Sequence, residues 1–254
     1  MKNEKLVTGG PCWVELATSD AAAATAFYTE LFGWQAETDP RPEAGGYTML
    51  SLPEGPVAAL VPLYAEGQRT AWSVSFAVLD ADVTASKVEQ AGGKVLMQPM
   101  EVFDLGRFAV ATDPSGAAFA LWQARAFPGA AVLNKPGSLG WVELLTRDAA
   151  GCIEFYPKVF GWSVNPSERY TQWGIKGADF GGMLVMGEQF PREVAPHWLP
   201  YFSVADLDAV VSTATGRGAG TLMPPTDIGG VRRIAVLRDP QGAPFGVYQA
   251  AAQD

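Results

Sequence analysis

Apolar and polar or small positions alternate through PCWVELAT (11–18) and LGWVELLT (139–146), the period of a half-buried strand. The period then changes. From Asp20 an alanine-rich stretch carries Phe27, Leu31 and neighbouring apolar residues at helical spacing until Gly33, and the run from Asp148 to Gly161 is aligned with it. An aspartate before the first turn caps it by accepting a bond from an unpaired amide. A glycine after the last apolar turn takes the left-handed conformation that a side chain disfavours. The pattern then predicts extended segments around 34–38, 46–52 and 57–63. A new strand follows at 72–79, a helix from Asp80 to Ala91 closed by Gly92-Gly93, and strands near 94–98, 107–112 and 117–123.

One half of the chain thus reads β-α-β-β-β twice, and the second half repeats it. Trp13, Glu15, Asp20, Phe27, Tyr28, Phe32, Gly33 and Trp34 recur as Trp141, Glu143, Asp148, Phe155, Tyr156, Phe160, Gly161 and Trp162, at a constant offset of 128. Near the ends of the halves RFAVATDPSGAAFALWQ (107–123) matches RIAVLRDPQGAPFGVYQ (233–249). The period is far longer than a solenoid repeat, so the copies are domains. The expected organisation is an α+β chain with one domain at 8–124, a Pro- and Gly-bearing linker at 125–137 and a second domain at 138–251. DPSG and DPQG place Asp, Pro and Gly where a type I turn wants them.

Composition narrows the partners. With 254 residues, 48% of them hydrophobic, the chain can bury a large core. A net charge of −9 repels phosphate backbones and argues against nucleic acid. No apolar run is long enough to cross a bilayer. The opening MKNEKLVTGG lacks the apolar segment of a signal peptide, which points to the cytoplasm. Cys12 and Cys152 do not align between the copies and read as small buried hydrophobes. Nucleotide-binding glycine loops and a GxSxG elbow are absent from the sequence.

FYxxxFGW at the end of the first helix and DPxG before the last strand, each present twice, resemble the vicinal oxygen chelate superfamily, which includes glyoxalase I, bleomycin-resistance proteins and extradiol dioxygenases. The resemblance implies four βαβββ modules forming curved mixed sheets, and a monomer that works as a pseudo-dimer. It also implies where a divalent metal would be held. One ligand position falls on Trp13 and Trp141, a second on Ala120 and Gly246, and a third around Ser73 and Leu199. The fourth falls within VAALVPL and GGMLVM, which contain no His, Glu or Asp. The chain has one histidine, His197, which reads as a surface or rim residue, and one imidazole cannot supply two pseudo-symmetric metal sites. The expectation is no metal and no cofactor.

Period two then assigns what lies at those positions. Trp13, Glu15 and Ala17 share a face, as do Trp141, Glu143 and Leu145. Ala120 goes with Trp122, Gly246 with Tyr248, Ser73 with Ser75 and Ala77, and Leu199 with Tyr201 and Ser203. Aromatics beside small residues suit a flat apolar ligand, although the same rings can plug the space. Glu15 and Glu143 form an ion pair there or accept a hydrogen bond from a backbone amide, or act as a general acid or base.

Three functions fit. The first is a metal-free protein that binds a planar hydrophobic or aromatic small molecule, in the manner of resistance by sequestration. Its ligand-binding residues are Trp13, Trp122, Ser73, Ser75, Trp141, Leu199, Tyr201 and Tyr248. The second is a cofactor-independent isomerase, hydratase or cyclase, with Glu15 or Glu143 moving the proton and Tyr201 or Tyr248 orienting an oxygen. The third is a metal-dependent lyase or dioxygenase with relocated ligands.

Overall fold

A computed structural model describes residues 7–167, 170–229 and 232–250. Residues 1–6 of the opening used above, and residue 251 of the second expected domain, therefore lie outside the described residues. The first half comprises β1 (Pro11–Thr18), α1 (Ala21–Phe32), β2 (Gln35–Thr38), β3 (Thr48–Leu52), β4 (Gly55–Pro62), β5 (Ala71–Ala77), α2 (Ala81–Gln90), β6 (Lys94–Val102), β7 (Gly106–Thr112) and β8 (Ala118–Ala124). The second half repeats the order as β9 (Leu139–Thr146), α3 (Ala149–Phe160), β10 (Ser163–Pro166), β11 (Tyr170–Ile175), β12 (Ala178–Val185), β13 (His197–Ser203), α4 (Leu207–Gly216), β14 (Gly220–Ile228), β15 (Arg232–Arg238) and β16 (Pro244–Ala250). The α+β reading with four βαβββ modules holds.

Each half builds its own mixed sheet, with strand orders β2-β3-β4-β1-β5-β8-β7-β6 and β10-β11-β12-β9-β13-β16-β15-β14. Pairing is parallel where β1 meets β4 and β5 meets β8, and antiparallel through the hairpins. Alternation explains the burial. Val14, Leu16, Phe76, Phe119 and Leu121 are buried on the helix-covered face, while Trp13, Glu15, Ser75 and Ala120 take the other.

All four helices start the same way. The carboxylates of Asp20, Asp80, Asp148 and Asp206 accept bonds from the amides of Ala23, Val83, Gly151 and Ala209 at 2.9–3.0 Å. Each such cap is worth about 1 kcal/mol. Gly33 and Gly161 end α1 and α3 in the left-handed region, at φ 69° and 74°.

Backbone contacts divide the chain into two compact units, each taking modules from both halves. Of the described residues, one unit holds those up to Trp13, Ser73–Gly129 and Trp141–Leu199, and the other holds Val14–Trp72, Ala130–Gly140 and those from Pro200. The recurring motifs bind each unit internally. In the second unit, Tyr28 Oη donates to Asp239 Oδ2 at 2.9 Å and accepts from Trp72 Nε1 at 3.0 Å. In the first, Tyr156 donates to Asp113 Oδ2 at 2.9 Å and accepts from Trp198 Nε1 at 3.0 Å. Trp34 and Trp162 donate to the carbonyls of Gly137 and Gly9. FY, FGW and DPxG are therefore parts of the core.

Candidate functional site

On the helix-free face of module two, small side chains form a floor. Ser75 pairs with Ala120, and Ala77 with Trp122, across the parallel strands. Ser75 and Ala120 are buried, while Ser73 at the strand entrance is exposed. The Trp122 ring covers Gly106, where a Cβ would stand 2.6 Å from Cζ2. Two rings flank the linker residue Phe127: Trp13 edge-on at 4.9 Å between centroids and Trp122 at 6.0 Å. Trp122 Nε1 also donates to the Phe127 carbonyl at 2.9 Å.

Module four is filled differently. Tyr201 pairs with Gly246 and Ser203 with Tyr248. The Tyr201 ring lies over Gly246 in the space a Cβ would need, so this small residue is covered from within the chain. Gly140 plays the same part for the Tyr248 hydroxyl. The Arg232 guanidinium stands 5.7 Å from the centre of the Tyr248 ring. Leu199, Tyr201 and Tyr248 are all buried.

Module three carries a polar row. Asn165 pairs with Gln172, Gln172 with Gly182, and Gly182 with Glu143, so the four lie side by side across the sheet. Trp173 is wholly buried against Tyr156 on the helix side, which puts Gln172 on the opposite face. Asn165 Nδ2 donates to Gln172 Oε1 at 3.2 Å. The Tyr170 ring occupies the space above Gly182, and its hydroxyl accepts from Trp141 Nε1 at 2.9 Å. Glu143 is 8% exposed in this row. The corresponding row of module one is Glu37, Met49, Ala59 and Glu15, with half-buried Glu15 beside Ala59. Desolvation and the Glu15 carboxylate push the Tyr64 phenol above its ordinary range.

The side chains at the expected metal positions do not suit a divalent transition metal. Trp13 and Trp141 are indoles, Ala120 and Gly246 have no donor, and Ser73 and Leu199 offer one hydroxyl between them. Among the described residues no group of three or more His, Cys, Asp or Glu is placed to hold a metal ion. His197 opens β13 half-buried, its Nδ1 2.9 Å from the Ala195 carbonyl, and burial lowers its pKa. Cys12 and Cys152 are fully buried thiols, and burial beside Asp113 pushes the Cys152 thiol up to about 12. No helix of the described residues is long and apolar enough to cross a membrane.

The ten residues singled out in the sequence fall on several walls. Trp13, Ser73, Ser75, Trp122, Trp141, Glu143 and Leu199 belong to one unit, Glu15, Tyr201 and Tyr248 to the other. Sequence reasoning missed Phe127, Tyr170, Gln172 and Arg232. Gly182 was the available signal for Tyr170, because a glycine inside a strand marks a close approach. Phe127 had none, since a linker has no period to read.

Residues 11–121 match the family described as the glyoxalase/bleomycin resistance protein/dioxygenase superfamily, and 141–248 match a glyoxalase-like domain. CFP32 of Mycobacterium tuberculosis (strain CDC 1551 / Oshkosh), described as a candidate glyoxylase, is 39% identical over 261 residues, covering 99% of both chains. The anthracycline biosynthesis protein DnrV of Streptomyces peucetius is 39% identical over 267 residues, covering 96% of this chain and 94% of that one. The Mn(II)-bound glyoxalase of Novosphingobium aromaticivorans shares the fold at a TM-score of 0.68 and 16% identity, over 95% of this chain and 82% of that one. With both halves matched and relatives aligned end to end, the chain belongs to the glyoxalase/bleomycin resistance protein/dioxygenase superfamily.

Proposed function

We propose that this protein is a metal-independent member of its superfamily that binds a planar aromatic small molecule. The observation that carries the reading is the exchange of metal-ligating positions for rings and small residues: Trp13 and Trp141, Ala120 and Gly246, Ser73 and Leu199. Aromatic faces with a few polar handles hold flat ligands by stacking and a small number of oriented hydrogen bonds. A relative named for anthracycline biosynthesis supports a polycyclic aromatic ligand. In one unit the binding residues are Trp13, Ser73, Ser75, Trp122, Trp141 and Leu199; in the other they are Tyr201 and Tyr248. The ligand is captured in the cytoplasm by a monomer.

Native mass spectrometry of protein purified from its own host, without chelator or metal resin, tests this. The expected result is the mass of the bare chain or of the chain with one organic adduct. Stoichiometric Mn, Fe, Ni or Zn would overturn the reading.

A second reading is favoured by Glu143, a buried carboxylate in one row with Gln172 and Asn165 and two residues from the Trp141–Tyr170 pair. In it the protein moves a proton on the bound aromatic compound without a cofactor, as an isomerase, hydratase or cyclase. Glu143→Gln and Glu15→Gln each lose turnover while retaining binding. Full turnover in both would remove this reading.

A further inference from the structure

Phe127 presents two chemical groups to module two. Its ring meets Trp13 edge-on, at 4.9 Å and 87° between planes, and meets Trp122 at 6.0 Å and 71°. Its carbonyl oxygen accepts from Trp122 Nε1 at 2.9 Å. An aromatic ring and a carbonyl acceptor thus occupy the two tryptophans together. Both groups come from a segment outside any strand or helix, half-buried and flanked by exposed Ala126 and Pro128. The Phe127 amide reaches the Leu105 carbonyl at 3.1 Å, its own backbone tie to the β6–β7 turn.

The wall residue aligned with Trp122 in the second copy has a different described neighbour. Trp122 aligns with Tyr248 at an offset of 126, and the same offset carries Phe127 to Gln253, which lies outside the described residues. Among the described residues, the Tyr248 ring has the Arg232 guanidinium 5.7 Å from its centre. Trp122 is itself seated by Gly106, whose missing side chain leaves room for the indole.

We infer that Trp13 and Trp122 form a subsite for an aryl carbonyl compound, a quinone or aryl ketone, and that Phe127 is its in-chain surrogate, displaced when the ligand binds. The inference rests on the aromatic-binding reading above and gives it a chemistry: a flat ring, with a carbonyl oxygen placed to accept from the Trp122 indole. A resident competitor lowers apparent affinity by the fraction of molecules in which it has left the subsite.

Anthraquinone-2-sulfonate and anthracene-2-sulfonate, which differ in the two carbonyls, are titrated into the full chain, Phe127→Ala, Phe127→Leu and Trp122→Phe, following tryptophan fluorescence. Phe127→Ala is expected to bind the anthraquinone at least tenfold tighter than the native protein. Phe127→Leu, which keeps apolar volume and the fold, is expected to fall between them. Trp122→Phe, lacking the N–H, is expected to lose the preference for the anthraquinone over the anthracene. Bound anthraquinone is also expected to speed tryptic cleavage after Arg125 in the native chain. If the native protein binds the anthraquinone while Phe127→Ala and Phe127→Leu bind no tighter, Phe127 is fixed packing; the inference fails and the aromatic-binding reading stands. If no variant binds either probe, both fail.

Discussion

Tyr28 and Asp239, 211 residues apart, share a buried hydrogen bond of 2.9 Å, and Tyr156 and Asp113 repeat it in the other unit. Each tyrosine lies on the buried face of its helix, and each aspartate opens a DPxG turn. The aspartates are further held by backbone amides, Ala243 and Gln241 donating to Asp239 and Ala117 to Asp113. Burial raises the pKa of Asp239, and the hydrogen bonds donated by backbone amides and by Tyr28 pull against that rise.

Removing the tyrosine hydroxyl strands two partners. Tyr28→Phe leaves Asp239 Oδ2 and Trp72 Nε1 without this contact in a closed core. The expected loss is about 1–3 kcal/mol of unfolding free energy, as for other orphaned buried groups. Tyr156→Phe is expected to do the same through Asp113 and Trp198. Urea unfolding of the single variants checks both.

Stability is expected to fall above pH 10. Desolvation, then the nearby Asp239 or Asp113 carboxylate, holds the Tyr28 and Tyr156 phenols well above their ordinary 10.0. The unfolded chain releases those protons near pH 10 while the fold retains them, so rising pH favours unfolding. The slope is at most about 1.4 kcal/mol per pH unit for each tyrosine. Unfolding titrations from pH 8 to 11 should show a shallower fall in Tyr28→Phe than in the native chain; equal slopes would contradict the assignment.

The two cysteines are expected to be inert in the folded protein. Both are fully buried, and Cys152 is held as the thiol to about pH 12 by burial and the Asp113 carboxylate. Ellman's reagent at pH 8 should report no thiol in the native state and two after denaturation. Rapid native labelling would mean the cores open readily.

Gly246→Ala is expected to destabilise the second half. The added methyl meets the Tyr201 ring, which must leave its position on the strand. Overpacking of this kind costs about 1–3 kcal/mol. Ala120, the aligned residue, faces Ser75 instead, so Ala120→Gly is expected to leave the neighbouring strand pairing intact. Thermal unfolding of the two variants separates these cases.

Much of the fold was legible along the chain. Alternation set the faces of β1, β5 and β8, and Asp20, Gly33 and Asp148 marked helix ends by chemistry that acts within one turn. The same alternation placed Trp13 with Glu15, and Ala120 with Trp122. It could not tell that the space beside Gly246 would be taken by Tyr201, because ring placement depends on the neighbouring strand and its register.

The sequence by itself determined the duplicated βαβββ modules, their buried faces and the loss of ligating side chains at the family's metal positions. These follow from short-range period and from residue chemistry. Tertiary structure decided that Tyr28 would find Asp239, that Tyr170 would meet Trp141, and that Phe127 would lie between Trp13 and Trp122. Periodicity records which side of a strand or helix a residue occupies. Which distant residue fills the remaining space is set by packing between elements, and no local pattern encodes it.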